Sequence, residues 1–460
     1  MKRFVTLLLA VFFIGVQAQT DSAFIRKIYD EALEHGHAYE NLRYLCKNIG
    51  ARLSGSPEAE MAVQWSKKLM ESYGFDKVFL QEIKVPHWER GTKESAWIVD
   101  EKGNMQKVKV LALGGSEGTN GMLEAELIAF NSLEELKAAD DEMVQGKVVY
   151  LTQAFDQKLL NTFSAYGACG NIRWNGPVEA AKKGAIGLVI RSLGSEVDDH
   201  PHTGSMQYED GVARIPAAAL STRDCELLNV WLQKGKVNIR LEMNCQWLEP
   251  VTSYNVVGQI TGRQANDIIT FGGHLDSWDV GEGAHDDGAG VMHSLEALRL
   301  LKTLGYKPRY TLRCVFFMNE ENGNFGGKGY ADYAVKNGEN HIAALESDRG
   351  GFLPLGFDVR GTANQVTFIR QISQSLQEDS MLYEFKQGYS GVDIGPLMEK
   401  YPQMVQLGMI INSQEYFKYH HTEADVFETV DRRELALGSA ALAAMVYLLD
   451  KNLEVEELKK

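Results

Sequence analysis

Residues 271 to 290 read FGGHLDSWDVGEGAHDDGAG, which sets two His and four Asp among six Gly. More acids and imidazoles follow in NEENG (Glu320, Glu321), ESD (Asp348) and KYHHTEAD (His420, His421). Singly, each has an ordinary reading: an acid at a helix start is a cap, a Glu pair is a solvated turn, and a His pair is surface decoration. Together they are the side chains that hold divalent metal ions and move protons. Carboxylates brought together without compensation repel one another, and a multivalent cation removes that repulsion. Mixed imidazole and carboxylate ligation suits zinc, whereas calcium and magnesium favour oxygen. Two His and three carboxylates are too many for one tetrahedral ion with an open position. They suit two ions sharing a carboxylate, as in hydrolases that activate a water between metals roughly 3.5 to 4 Å apart. Glycines in such a stretch let the backbone turn tightly and approach the site.

The elements that must carry these groups alternate between strand and helix. DIITFGG is an apolar, β-branched run ending just before His274, and VMHSLEALRLLKTLG repeats Leu295, Leu298 and Leu301 at helical spacing. YTLRCVFFM runs into Glu320 and HIAALES into Asp348, then FIRQISQSL and the closing LGSAALAAMVYLL follow. That grammar predicts an α/β fold with a mostly parallel sheet flanked by helices. In such sheets ligands bind outside the carboxyl ends of the strands, where His274, Asp276, Glu320, Glu321 and Asp348 fall. Asp286 and Asp287 open the Leu-rich helix. Near the start, Ser56 caps and Pro57 begins a helix expected to end near Gly74.

Between about 124 and 245 the texture changes to short β-like pieces, GKVVYL, IGLVI and VNIRLEM, around the helical VEAAKKG, with few candidate catalytic residues. We expect an inserted, mainly β domain at 113–250, the host domain being formed by 19–112 and 251–460.

The chain has 460 residues, 44% hydrophobic and 24% charged, a globular composition with enough apolar residues for a large core. A net charge of -15 and the absence of any Lys/Arg block exclude an electrostatic footprint for nucleic acid. The opening MKRFVTLLLAVFFIGVQAQT sets Lys2 and Arg3 before an apolar run, Phe4 to Val16, and a small-residue site. It reads as a cleaved export signal over 1–18, shorter than the roughly 20 residues that span a bilayer. The mature chain is thus expected to be periplasmic or secreted and off the membrane. Five scattered cysteines without a CxxC pair permit at most two bridges and argue against a cysteine zinc site.

Three other patterns resemble active-site motifs. GGSEG, 114 to 118, matches the serine-hydrolase GxSxG, but TNGM after it is a poor helix start. GNFGGKG lacks the Ser or Thr of a phosphate loop, and DDHPH, 198 to 202, reads as a polar loop.

The stretches GGHLDSWDVGEGAHDDGAG, NEENG, ESD and YHHTEAD, with ARLSGSPEAE, VPHWERG, VEAAKKGAIGLVIRS and PHTGSMQYEDGVARIP, cover most of the mature chain. They resemble the co-catalytic di-zinc exopeptidases that include bacterial leucyl aminopeptidases. The resemblance implies that His274 and Asp348 bind one zinc, Glu321 and His421 the other, with Asp286 bridging and Glu320 as general base. It implies that Asp276 orients the His274 imidazole, that Asp287 follows Asp286 through a cis bond, and that Tyr389 stabilises an oxyanion. His421 is chosen over His420 because it directly precedes TEAD, and His285 stands where the family varies. The insert is implied to be a protease-associated domain covering the cleft, and the chain a homodimer. The expected activity is hydrolysis of dipeptides or short peptides. The alternatives are a broader aminopeptidase, or an inactive receptor on the same fold, against which the complete ligand set argues.

Overall fold

Four runs rich in Val, Ile, Leu and Phe, Gln264–His274, Tyr310–Phe317, Asn340–Glu346 and Val405–Ile411, become the centre of one sheet in the computed structural model, which describes residues 21–454. They lie side by side and parallel, in the order Tyr310–Phe317, Gln264–His274, Asn340–Glu346, Val405–Ile411. Beyond the first residues of Gln264–His274 nearly every position is buried, as strands covered on both faces require. Antiparallel strands complete the eight: Gln246–Ile260 and Lys77–Glu89 on one side, Pro354–Arg360 with its parallel neighbour Glu384–Gln387 on the other. The helices Ala289–Thr303 and Arg432–Asn452 pack together against this sheet. Pro57–Ser72 starts as expected, with the Ser56 hydroxyl accepting from the Ala59 amide and Pro57 at the first position.

A second eight-stranded sheet collects every strand from Glu94 to Met243. Its centre, Leu123–Phe130, Val148–Leu151, Gly187–Arg191 and Ala217–Leu220, is parallel, with antiparallel strands at both edges. The chain enters and leaves this unit through one antiparallel ribbon, Lys77–Glu89 against Gln246–Ile260. The expected boundary at 113 is therefore too late. Glu94–Asp100 pairs with Val237–Met243, and Val110–Ala112 with Ala217–Leu220, a choice of sheet that alternation in the sequence does not encode. The unit is also less purely β than expected. Helices at Leu133–Ala138, Thr162–Cys169, Gly176–Lys182 and Thr222–Leu232 cover it, as parallel strands demand.

All five cysteines are buried as free thiols. Among the described residues no helix is long and apolar enough to cross a membrane, and the segment read as an export signal lies outside them.

Candidate metal centre

The strand ends deliver the predicted groups to one place. His274 closes the strand Gln264–His274, and Asp348 follows the end of the neighbouring strand Asn340–Glu346. Asp286 and Asp287 sit in the turn before the helix Ala289–Thr303, and the peptide bond between them is cis. Close approach there requires glycine. A Cβ on Gly290 would lie 1.7 Å from the Ser347 carbonyl oxygen, and one on Gly273 2.2 Å from the Asp287 carboxylate. Glu320 and Glu321 follow the strand Tyr310–Phe317, while His421 comes from a loop and carries a left-handed φ of 64°.

The geometry divides around Asp286. Nε2 of His274 is 3.3 Å from Asp286 Oδ1 and 3.5 Å from Asp348 Oδ1. Nε2 of His421 is 3.2 Å from Asp286 Oδ2 and 3.3 Å from Glu321 Oε2. Two ligand atoms bound tetrahedrally to zinc at 2.0 to 2.2 Å stand about 3.3 to 3.6 Å apart, so these separations are close to those of a ligand shell. Glu321 Oε1 is buried without a hydrogen bond, as is Asp286 Oδ2. Buried carboxylate oxygens left without a hydrogen bond in a cluster of imidazoles are what a cation satisfies, so the donor set suits zinc.

Charge within the cluster is held by protons on the imidazoles. Burial pulls the His421 pKa down, but Glu321 and Asp286 overcome it and raise it to about 9. His274 is likewise held well above the usual imidazole range against burial, by Asp348 and Asp286. Burial pushes Asp286 up, yet the His274 and His421 imidazoles beside it keep it well below the carboxylate range. Glu321 is pushed to about 7 by burial and then by Asp286.

A ring of supporting contacts surrounds these groups. Nδ1 of His274 donates to the Asp276 backbone carbonyl at 2.9 Å, leaving the Nε2 lone pair for a ligand. The Asp276 carboxylate is 3.8 Å from that nitrogen and works elsewhere. Its oxygens accept from the amides of Asn319, Glu320 and Glu321, so it positions the acid pair, and its backbone rather than its carboxylate orients the imidazole. Asp287 accepts from the amides of His274 and Gly290, both at 3.0 Å.

Sequence reading assigned no role to Arg52 or Asp425, although both lie in motifs that carried the resemblance. Asp425 accepts from the amides of His285 and Asp286, fixing the bridging position. Fully buried Arg52 donates to the carbonyls of Leu275, Glu282 and Gly283, tying down the loop between His274 and Asp286.

The remaining candidates separate clearly. The Glu320 carboxyl faces the cleft with no side-chain hydrogen bond among the described residues, and burial pushes its pKa well above the usual range. Tyr389 stands on the cleft wall, 54% exposed, where partial burial and then Glu346, Asp348 and Glu320 push its phenol up. His420 stacks on His421 at 3.6 Å and lies 3.5 Å from Asp286 Oδ2, with no contact to Glu321. His285 stacks against Phe352 at 4.2 Å, accepts from the Gly351 amide and turns away from the cluster. In GGSEG, Ser116 is buried and accepts from the Ala217 amide, and no helix follows.

The cleft over the cluster has a volume of about 950 Å³. One wall, including Phe163, Tyr166, Trp174 and Met206, belongs to the second unit, so a substrate at the metal centre touches both.

A family model described as Peptidase family M28 matches residues 255–446. Carboxypeptidase Q of Homo sapiens is 34% identical over 425 residues, covering 92% of this chain and 86% of that protein. Carboxypeptidase Q of Xenopus laevis is 35% identical, covering 92% and 88%. Among solved structures, a peptidase M28 precursor from Shewanella amazonensis SB2B is 32% identical with a TM-score of 0.89, over 95% of this chain and 98% of that one. BSAP, a zinc aminopeptidase from Bacillus subtilis, shares the fold at 19% identity and a TM-score of 0.64, over 92% and 97%. The chain belongs to peptidase family M28 and is a zinc-dependent metallopeptidase.

Proposed function

We propose that this metallopeptidase is an exported exopeptidase that holds two zinc ions and hydrolyses dipeptides or short peptides. The observation that carries the reading is the division of Asp286, Oδ1 toward His274 and Oδ2 toward His421, at ligand-shell separations. His274 and Asp348 hold one ion, Glu321 and His421 the other, and Asp286 bridges. Zinc, when bound, acidifies a water and polarises a carbonyl oxygen.

Glu320 takes the proton from the attacking water and delivers it to the leaving amine. Its raised proton affinity suits a carboxyl that must carry the proton between those transfers. Tyr389, on the cleft wall, donates to the developing oxyanion. The second unit walls one side of the cleft, which supports a small peptide substrate. The name of the relatives, carboxypeptidase Q, supports an exopeptidase. The apolar opening with Lys2 and Arg3 ahead of it supports export.

Glu320→Gln tests the base. Dipeptide hydrolysis should fall by about 100- to 10,000-fold while zinc content stays unchanged. Loss of zinc together with activity would refute the role.

A further inference from the structure

Nδ1 of His421 lies 3.2 Å from the carbonyl oxygen of Thr203, in the second unit, and the Thr203 amide donates to the His421 carbonyl at 3.0 Å. A carbonyl can only accept, so Nδ1 is the donor and Nε2 is the nitrogen turned to Asp286 and Glu321, where it binds a metal ion once its own proton is lost. The next residues reach the other side of the same half-site: the Ser205 hydroxyl donates to the Glu321 backbone carbonyl at 2.9 Å. Gly204 between them has φ +132°, and a Cβ there would lie 2.7 Å from His421 Nδ1, so only glycine lets the segment lie this close.

Arg173 fixes the segment from behind. Its guanidinium donates to the carbonyls of Thr203 and Ser205, at 3.3 and 3.2 Å, and lies over the Tyr166 ring at 5.5 Å. Its Nη1 is 3.4 Å from His421 Nδ1, but that nitrogen is already a donor, so the two share the Thr203 carbonyl. The His274 side has no such dependence, since its Nδ1 partner is the carbonyl of Asp276 on the same loop.

We propose that Thr203–Ser205, braced by Arg173, is a working part of the metal centre: it positions His421 and Glu321, so the second unit sets the affinity of one of the two metal positions. Arg173 and Ser205 are positioning residues, not ligands. The inference rests on the two-zinc reading above.

Zinc affinity measured by competition with a chelating dye, in two backgrounds, separates this role from a general one in folding. The Asp348→Asn chain keeps the Glu321 and His421 half, and the Glu321→Gln chain keeps the His274 and Asp348 half. Arg173→Ala should weaken zinc binding by about tenfold or more in the first background and less than about twofold in the second. Ser205→Ala should act in the same direction with a smaller effect, and decides the matter by the same comparison should Arg173→Ala not fold. Equal weakening in both backgrounds, or none in the first, would overturn the inference while leaving the two-zinc reading intact. An unsubstituted chain that binds no second zinc ion would overturn both.

Discussion

The two halves of the metal centre are built differently. His274 and Asp348 stand at the ends of adjacent parallel strands, and the His274 ring is oriented by a carbonyl two residues away. Glu321 and His421 sit on loops, and their support comes from Thr203 and Ser205 on a loop of the second unit. The first half is positioned within one sheet, whereas the second takes contacts from the other unit. A rigid sheet can preorganise one ligand set by itself, but closing the second set requires a partner surface.

Asp286 belongs to both halves, so its removal should have the largest effect. Asp286→Asn should empty both positions and abolish hydrolysis, read by elemental analysis of the purified chain. Retention of full zinc content would break the comparison at its centre. Asp348→Asn should cost only the strand-borne ion and leave about one zinc per chain. A chain with none would show that the halves do not load separately.

Arg52 braces the loop that joins His274 to Asp286, and its loss leaves three or more buried carbonyls and nearby carboxylates uncompensated. Arg52→Ala should destabilise the chain by about 3 to 5 kcal/mol in urea denaturation. A change below about 1 kcal/mol would contradict that role.

The smallest effect lies beside the bracing segment. His202 is 2% exposed, neither ring nitrogen is hydrogen-bonded, and burial, then His421, pulls its pKa down to about 3. The folded ring stays neutral where the unfolded ring takes a proton, so its contribution to stability is lost as pH falls from about 6.5 toward 3. The loss approaches about 1.4 kcal/mol per pH unit within that window. His202→Leu should flatten the pH dependence of unfolding between 6.5 and 4.5, and an unchanged slope would refute the assignment.

What the sequence disclosed follows the same division. His274, Asp348 and the Glu320–Glu321 pair were legible because apolar runs end where they begin, and strand-then-helix grammar says which edge they share. Asp286 and Asp287 were legible as a pair from their place at a helix start among glycines, and the choice of Asp286 as the shared ligand came from the resemblance. His421 was distinguished from His420 by the TEAD that follows it, and the contact with Glu321 is the physical counterpart of that choice. The supports were not legible. Thr203 and His421 are 218 residues apart, and neither Arg173 nor Asp425 lies in a periodic pattern that marks a contact at such range. The resemblance implied that Asp276 orients the His274 imidazole but not by which group, because a backbone carbonyl leaves no trace in residue type. The second unit's start was placed at 113 rather than near Glu94 because a short alternating strand looks alike in either sheet.

The most direct test of the two-zinc centre is zinc per chain on the purified protein, followed by chelation and zinc restoration against dipeptides. Two ions per chain, with hydrolysis lost and regained, is the predicted result. A folded chain that takes up one ion or none and stays inert after zinc is added would contradict it.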